Sequence, residues 1–225
     1  MRYPGGKGKC FQRLINLMPP HRVYIESHLG GGAVLRHKRP AEVSIGVDID
    51  ARVIKHWQAQ PLKLCNLEHT DAVRFLDGFA YQGDELIYAD PPYVPSARRR
   101  AKIYRHEYSL EDHVRLLETL KCVPCKVMLS GYDNELYAQA LPGWRKVSFF
   151  AKTHVDVRQE YVWMNYEPID RLHDGTYLGH TFRDRQTIKR RHARLVNRFA
   201  QMDPVERHEL FRVLNHHFGD ATSMP

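Results

Sequence analysis

The stretch Tyr88-Ala89-Asp90-Pro91-Pro92-Tyr93-Val94 (YADPPYV) continues directly from the apolar run Glu85 to Ala89 (ELIYA). A short apolar run closed by two prolines reads as a buried strand that stops abruptly, because proline donates no ladder hydrogen bond and fixes its own φ. A chain that only had to turn would use Gly or Asn. An acid, two prolines and an aromatic instead make a stiff loop with Asp90 at its root. Open α/β sheets bind ligands outside the carboxyl ends of their strands, so a carboxylate on such a rigid end is a candidate for chemistry.

Outward from this point, apolar runs alternate with helical patterns. Val23 to Ser27 (VYIES), Glu42 to Ile49 (EVSIGVDI), Lys126 to Ser130 (KVMLS), Lys146 to Lys152 (KVSFFAK) and Glu160 to Tyr166 (EYVWMNY) read as strands, and so does Leu62 to Asp71 (LKLCNLEHTD). One helix follows Asp50. Another runs from Ser109 to Leu120, with Ser109 and Asp112 as a capping box and Val114, Leu117 and Leu120 as its apolar stripe. The alternation predicts an α/β fold, a Rossmann-like doubly wound and mostly parallel sheet. The last two strands are joined too tightly for the crossover of about a dozen residues that parallel pairing needs, so they form an antiparallel pair at one edge.

The informative residues then fall at strand ends. Glu26 to Val34 (ESHLGGGAV) leaves the first strand and opens a helix, so its glycines let backbone approach a ligand. Asp48 ends the next strand, 18 residues after Gly30, where a carboxylate accepts from ribose hydroxyls; helix capping is the plainer role for Asp48 and Asp50. Asp71 ends the third strand, placed to accept from an exocyclic amine, and Asp90 ends the fourth. Coincidence explains one such strand end more easily than four in succession.

Bulk properties agree. The 225 residues allow one full domain and an appendage. A formal charge of +8, before counting 14 histidines, favours an anionic partner, and nucleic acid is the commonest. No run is long and apolar enough for a membrane span and the N-terminus is not a signal peptide, so a cytoplasmic protein is expected. Four cysteines, two of them in CVPC (Cys122, Cys125), lack the partners of a zinc or redox site; reduced, mostly buried thiols and no metal are expected.

With these residues in place, the chain resembles the S-adenosylmethionine-dependent DNA adenine methylases of the α group. The resemblance runs from Arg2 to Lys9 (RYPGGKGK) through Gly30 to Gly32, Asp48, Asp71 and Asp90 to Tyr93 (DPPY), to the last strand near Glu167. It implies S-adenosylmethionine as cofactor, with Tyr3, Gly5, Gly6, Lys7, Glu26, His28, Gly30, Gly32, Asp48 and Asp71 in its pocket. Lys7 would lie near the methionine carboxylate or the target nucleotide. It also implies that Asp90, Pro91, Pro92 and Tyr93 hold the N6 amine of an adenine in DNA. If Asp90 and the Pro91 carbonyl each accept one amine hydrogen, the nitrogen lone pair turns toward the methyl group, and orientation lowers the barrier. Tyr93 would stack on the flipped base, recovering about 1–3 kcal/mol of the few kcal/mol that flipping costs.

Two departures stand out. The family's Glu-Pro-Phe-x-Gly-x-Gly reads Glu-Ser-His-Leu-Gly-Gly-Gly here, so His28 replaces an aromatic, with consequences for cofactor affinity and pH response. Only a short segment separates Asp71 from Asp90, without the usual target-recognition insertion. DNA contacts are expected instead from Arg98, Arg99, Arg100 and Lys102 after the catalytic loop, and from Lys189, Arg190, Arg191 and Arg194 in the tail. The methyltransferase domain is placed at 1–168 and a basic helical extension at 169–225. In that extension Ile188, Leu195, Phe199 and Met202 share a helical face, Asp203 caps a second helix with Pro204 at its first position, and the two helices form a hairpin. The hairpin is read first as DNA-binding; dimerisation or a lid on the sheet are its other readings.

Other classes use fewer of these features. A nicotinamide dehydrogenase leaves DPPY and the basic tail unused. Methylation of cytosine N4, of adenine in RNA, or DNA binding without catalysis stay open beside the adenine reading, with RNA ranked below DNA as partner.

Overall fold

The computed structural model describes residues 6–61, 63–97, 103–152 and 157–219. Tyr3, Gly5, Arg98, Arg99, Arg100 and Lys102 lie outside the described residues. The chain divides into two compact units, Met1–Tyr177 and Leu178–Pro225.

The first unit is an α/β sandwich around a seven-stranded sheet. In chain order it contains α1 (Phe11–Ile15), β1 (Val23–Glu26), α2 (Ala33–His37), β2 (Val43–Asp48), α3 (Ala51–Gln58), β3 (Asn66–His69), α4 (Ala72–Gly78), β4 (Glu85–Ala89), α5 (Leu110–Cys122), β5 (Lys126–Gly131), α6 (Glu135–Ala140), β6 (Arg145–Lys152) and β7 (Val157–Met164). The order across the sheet is β3-β2-β1-β4-β5-β7-β6. The first five strands pair in parallel, and β7 runs antiparallel to both β5 and β6. The direction of winding reverses between β1 and β4, and crevices for ligands form at such switch points.

Strands buried on both faces explain the near-continuous apolar runs. Every residue of β4 is buried. Side chains on one face of the sheet, including Tyr24, Leu86, Tyr88 and Met128, pack with Leu14, Met18 and Trp57. Those on the other, including Ile25, Ile87, Val127 and Leu129, pack with Leu76, Leu116, Leu117 and Leu120.

Local signals set the helix starts. Ser109 and Asp112 form the reciprocal capping box expected of them, and Asp50 caps α3 through Arg52 N. Two expectations need correction. Val114 is exposed; α5 instead buries His113 and Leu116 beside Leu117 and Leu120, so the covered stripe is rotated by about one residue. The third strand ends at His69 rather than Asp71, because the Asp71 side chain turns back to cap α4 by accepting from Arg74 N at 3.0 Å.

The segment after β7 returns across the first unit. The Tyr166 hydroxyl donates to Leu17 O, His173 N donates to Met18 O, and Asp174 accepts from Arg39 N. Residues 169–177 therefore pack with the sheet unit.

The second unit holds α7 (Phe182–Ala200) and α8 (Pro204–Phe218). Thr181 and Asp184 box the start of α7, and Asp203 with Pro204 starts α8. Neither helix contains a buried residue. Phe199 meets Phe211 edge-on, with ring centroids 5.9 Å apart. Ile188, Phe199 and Met202 are half-covered, whereas Leu195, on the same face of α7 as Ile188 and Phe199, is exposed.

Candidate active site

A cleft opens where the ends of β1 and β4 diverge. It is lined by Gly6, Lys7, Glu26, His28, Gly30 to Ala33, Asp90 and Pro92, with Leu29 and Tyr104. Residues from the N-terminal segment, the glycine turn and the Asp-Pro-Pro-Tyr loop thus face one space. Asp71 does not line it.

On the β1 side, backbone geometry builds the wall. Gly30 and Gly32 take positive φ (45° and 56°), a region that L side chains rarely adopt. A Cβ on Gly32 would also lie 2.2 Å from the Trp57 ring. Trp57, which sequence reasoning left as part of a helix pattern, donates its indole N–H to Gly30 O at 3.0 Å and braces the turn from beneath. Asp48 accepts from Gly30 N and from Asp50 N, each at 2.8 Å. It is buried and serves as a staple between two turns, and burial raises its carboxyl above the usual range.

Glu26 ends β1 with its side chain buried; burial pushes its carboxyl up to about 8, although the Tyr24 hydroxyl (2.9 Å) and Leu35 N (3.1 Å) both donate to it. His28 is held between Ser27 Oγ (3.0 Å) and the Tyr108 hydroxyl (2.8 Å). Burial, then the neighbouring His113, lowers the His28 pKa to about 3, so the ring is neutral at ordinary pH.

On the β4 side, charged side chains build the wall. Lys7 Nζ donates to both Asp90 oxygens (2.6 and 2.8 Å) and to the Tyr93 hydroxyl (2.6 Å). The Tyr93 hydroxyl donates in turn to Glu160 Oε2 at 2.5 Å. Burial disfavours charge on Lys7, but Asp90 and Glu160 outweigh it and hold the ammonium protonated. Burial likewise raises the Asp90 carboxyl, with Lys7 opposing.

Tyr93 itself is buried, with Lys7 4.8 Å from its ring centroid and Tyr132 edge-on at 4.5 Å. The more accessible aromatic at the adjoining strand end is Tyr132, just beyond β5, under the Arg158 guanidinium. Sequence reasoning missed Glu160, Tyr132 and Arg158. The signal for Glu160 was an acid on the same strand face as the apolar Val162 and Met164.

In the second unit, α7 carries Lys189, Arg190, Arg191 and Arg194, the basic residues singled out in the tail. At 100° per residue Arg183, Arg190, Arg191, Arg194 and Arg198 fall within one sector of about 100°, with Lys189 on the far side. All of them are exposed.

No family model and no curated protein matches the chain. Solved structures match its backbone. An rRNA methylase from Streptococcus thermophilus is 11% identical with a TM-score of 0.44, covering 73% of this chain and 97% of that one. TrmN from Thermus thermophilus is 16% identical (TM-score 0.46), over 69% of this chain and 47% of that one. A dimethyladenosine transferase from Plasmodium falciparum is 11% identical (TM-score 0.46), over 73% and 62%. The strand order 3-2-1-4-5-7-6 with an antiparallel seventh strand is the expected Rossmann-like α/β fold with its antiparallel edge. Among the described residues no group of ligands could hold a metal, and no helix is long and apolar enough to cross a membrane.

Proposed function

We propose that the chain is an S-adenosylmethionine-dependent DNA methyltransferase acting on the N6 amine of adenine. The observation that carries this reading is the position of Asp90. It stands on a stiff Pro-Pro loop at the sheet's switch point and shares one cleft with the glycine turn and Glu26.

The residues of the β1 side suit the proposed cofactor. The Gly30–Gly32 turn offers close backbone approach, and Glu26 offers a buried carboxyl group whose ionisation a cationic amino-acid end would favour. When bound, S-adenosylmethionine supplies a sulfonium-activated methyl group. The neutral His28 offers an uncharged ring in the wall. Asp48 orders Gly30 through its amide, so its contribution to cofactor binding is to hold the turn.

On the β4 side, Asp90 and the Pro91 carbonyl accept the amine hydrogens, which turns the nitrogen lone pair toward the methyl group. Tyr93 fixes the loop from inside through Lys7 and Glu160. Exposed arginines on α7, at one charge every few ångströms along about 22 Å of helix, suit contacts to phosphates.

Transfer of labelled methyl from S-adenosylmethionine to unmodified plasmid DNA, followed by nucleoside analysis, tests the reading. N6-methyldeoxyadenosine, absent with Asp90→Ala, is the expected product. N4-methyldeoxycytidine, or transfer to RNA alone, would replace the substrate assigned here. Donor binding without transfer to any nucleic acid would end the reading.

A further inference from the structure

The β4 side of the cleft contains one more carboxylate than its ammonium requires. Lys7 spends two of its hydrogens on Asp90 and one on Tyr93, and the Tyr93 proton points at Glu160. Glu160 comes from β7, which lies between β5 and β6, and is as buried as the hydrophobic residues around it. A carboxylate in that setting carries a desolvation penalty unless a charge answers it. A glutamine could also accept the Tyr93 hydrogen, without that penalty. The acid is therefore informative, and the charge within its reach is Lys7, 4.0 Å away. A shift of about 1 Å would turn that approach into a direct charge-assisted hydrogen bond.

A carboxylate chelated by an ammonium is a weakened acceptor, since much of its charge is already answered. The amine of a target base needs Asp90 as an acceptor. Resting on the methyltransferase reading above, we propose that Glu160 is a positioning residue: through Tyr93 it competes with Asp90 for the Lys7 ammonium, leaving an Asp90 oxygen for the amine of the target base. Tyr93 is the coupling element. Its hydroxyl touches Lys7 on one side and Glu160 on the other, so movement of the ammonium toward β7 keeps every donor satisfied.

Glu160→Gln keeps an acceptor for Tyr93 and removes the charge. The expected result is a fall of about tenfold or more in kcat for methyl transfer to plasmid DNA, with donor Kd within about twofold and no loss of Tm. Glu160→Asp, which keeps the charge, restores part of the rate. Independently of activity, the 15N signal of the Lys7 side chain should move between wild-type and Glu160→Gln protein without nucleic acid.

Wild-type kcat in Glu160→Gln, or an unmoved Lys7 signal, overturns the proposal. Loss of donor binding or of folding in both variants overturns it as well, by making Glu160 a structural residue. Absence of transfer to any nucleic acid by the wild-type protein sinks the methyltransferase reading instead, and the Lys7 signal then decides the competition for Lys7 separately.

Discussion

The two walls of the cleft are held by different kinds of bond. On the β1 side, Asp48 is tied to backbone amides, Gly30 and Gly32 occupy a backbone region that other residues rarely adopt, and Trp57 fills the space behind them. On the β4 side, Asp90, Lys7, Tyr93 and Glu160 are tied to one another through side chains. Backbone-anchored groups are fixed once the fold forms, whereas side-chain ion pairs can change partners without unfolding anything. The first wall therefore suits a component bound the same way in every cycle, and the second a substrate that must be admitted and released.

This contrast predicts where substitutions act. Asp90→Ala should reduce methyl transfer by about a hundred- to a thousandfold, while donor affinity measured by calorimetry stays within a few-fold. Loss of donor binding in that variant would erase the division between the walls.

Gly32→Ala attacks the other wall. Strain at positive φ and collision with Trp57 should lower stability by about 2–5 kcal/mol, seen as a Tm drop of roughly 5–15 °C, with donor binding lost in parallel. An unchanged Tm would show that the turn is looser than its contacts imply.

A smaller effect follows from titration. His28 in the folded protein has a pKa near 3 against an ordinary 6.5, so below 6.5 the unfolded chain binds a proton that the native state refuses. Relative to His28→Gln, wild-type protein should lose stability as pH falls from 6.5 toward 3, and lose nothing above 6.5. Glu26 has the opposite sign. Its pKa is raised from 4.5 to about 8, so relative to Glu26→Gln the wild-type protein should lose stability as pH rises from 4.5 to 8. Thermal melts of the three proteins across that range check both slopes.

The smallest effect concerns α7. Replacing Arg183, Arg190, Arg194 and Arg198 by Gln should weaken duplex DNA binding about tenfold near 0.1 M salt and flatten the salt dependence by roughly three to four counterions; Lys189→Gln, on the far side, should change the slope by about one or less. Equal effects per charge removed would mean that the helix has no preferred face.

How much of this was legible in the sequence depended on whether the cause was local. The Ser109 capping box and the Asp203-Pro204 start are written in neighbouring residues, and the structure has them where expected. Asp48 and Asp71 are legible as acids at turns, but not for what they bond. A carboxylate near a helix start serves as readily as a cap or staple as a ligand for something else, and both do so here. Val114 failed because a helical stripe leaves the direction of the core undetermined to within a residue. Glu160 and Trp57 were invisible because their partners, Tyr93 and Gly30, lie 67 and 27 residues away. Only the sheet order brings them together.

That separation has a consequence for synthesis. β7 is the last strand of the sheet to leave the ribosome, yet it takes an interior place between β5 and β6. A nascent chain can lay down the glycine turn and its Trp57 brace early, from contacts close in sequence. The Asp90 wall must wait for Glu160, so Lys7, made first, receives its full set of counter-charges only when the sheet closes. Until then the half-built sheet exposes the edge of β5, an opportunity for a chaperone and a hazard in its absence.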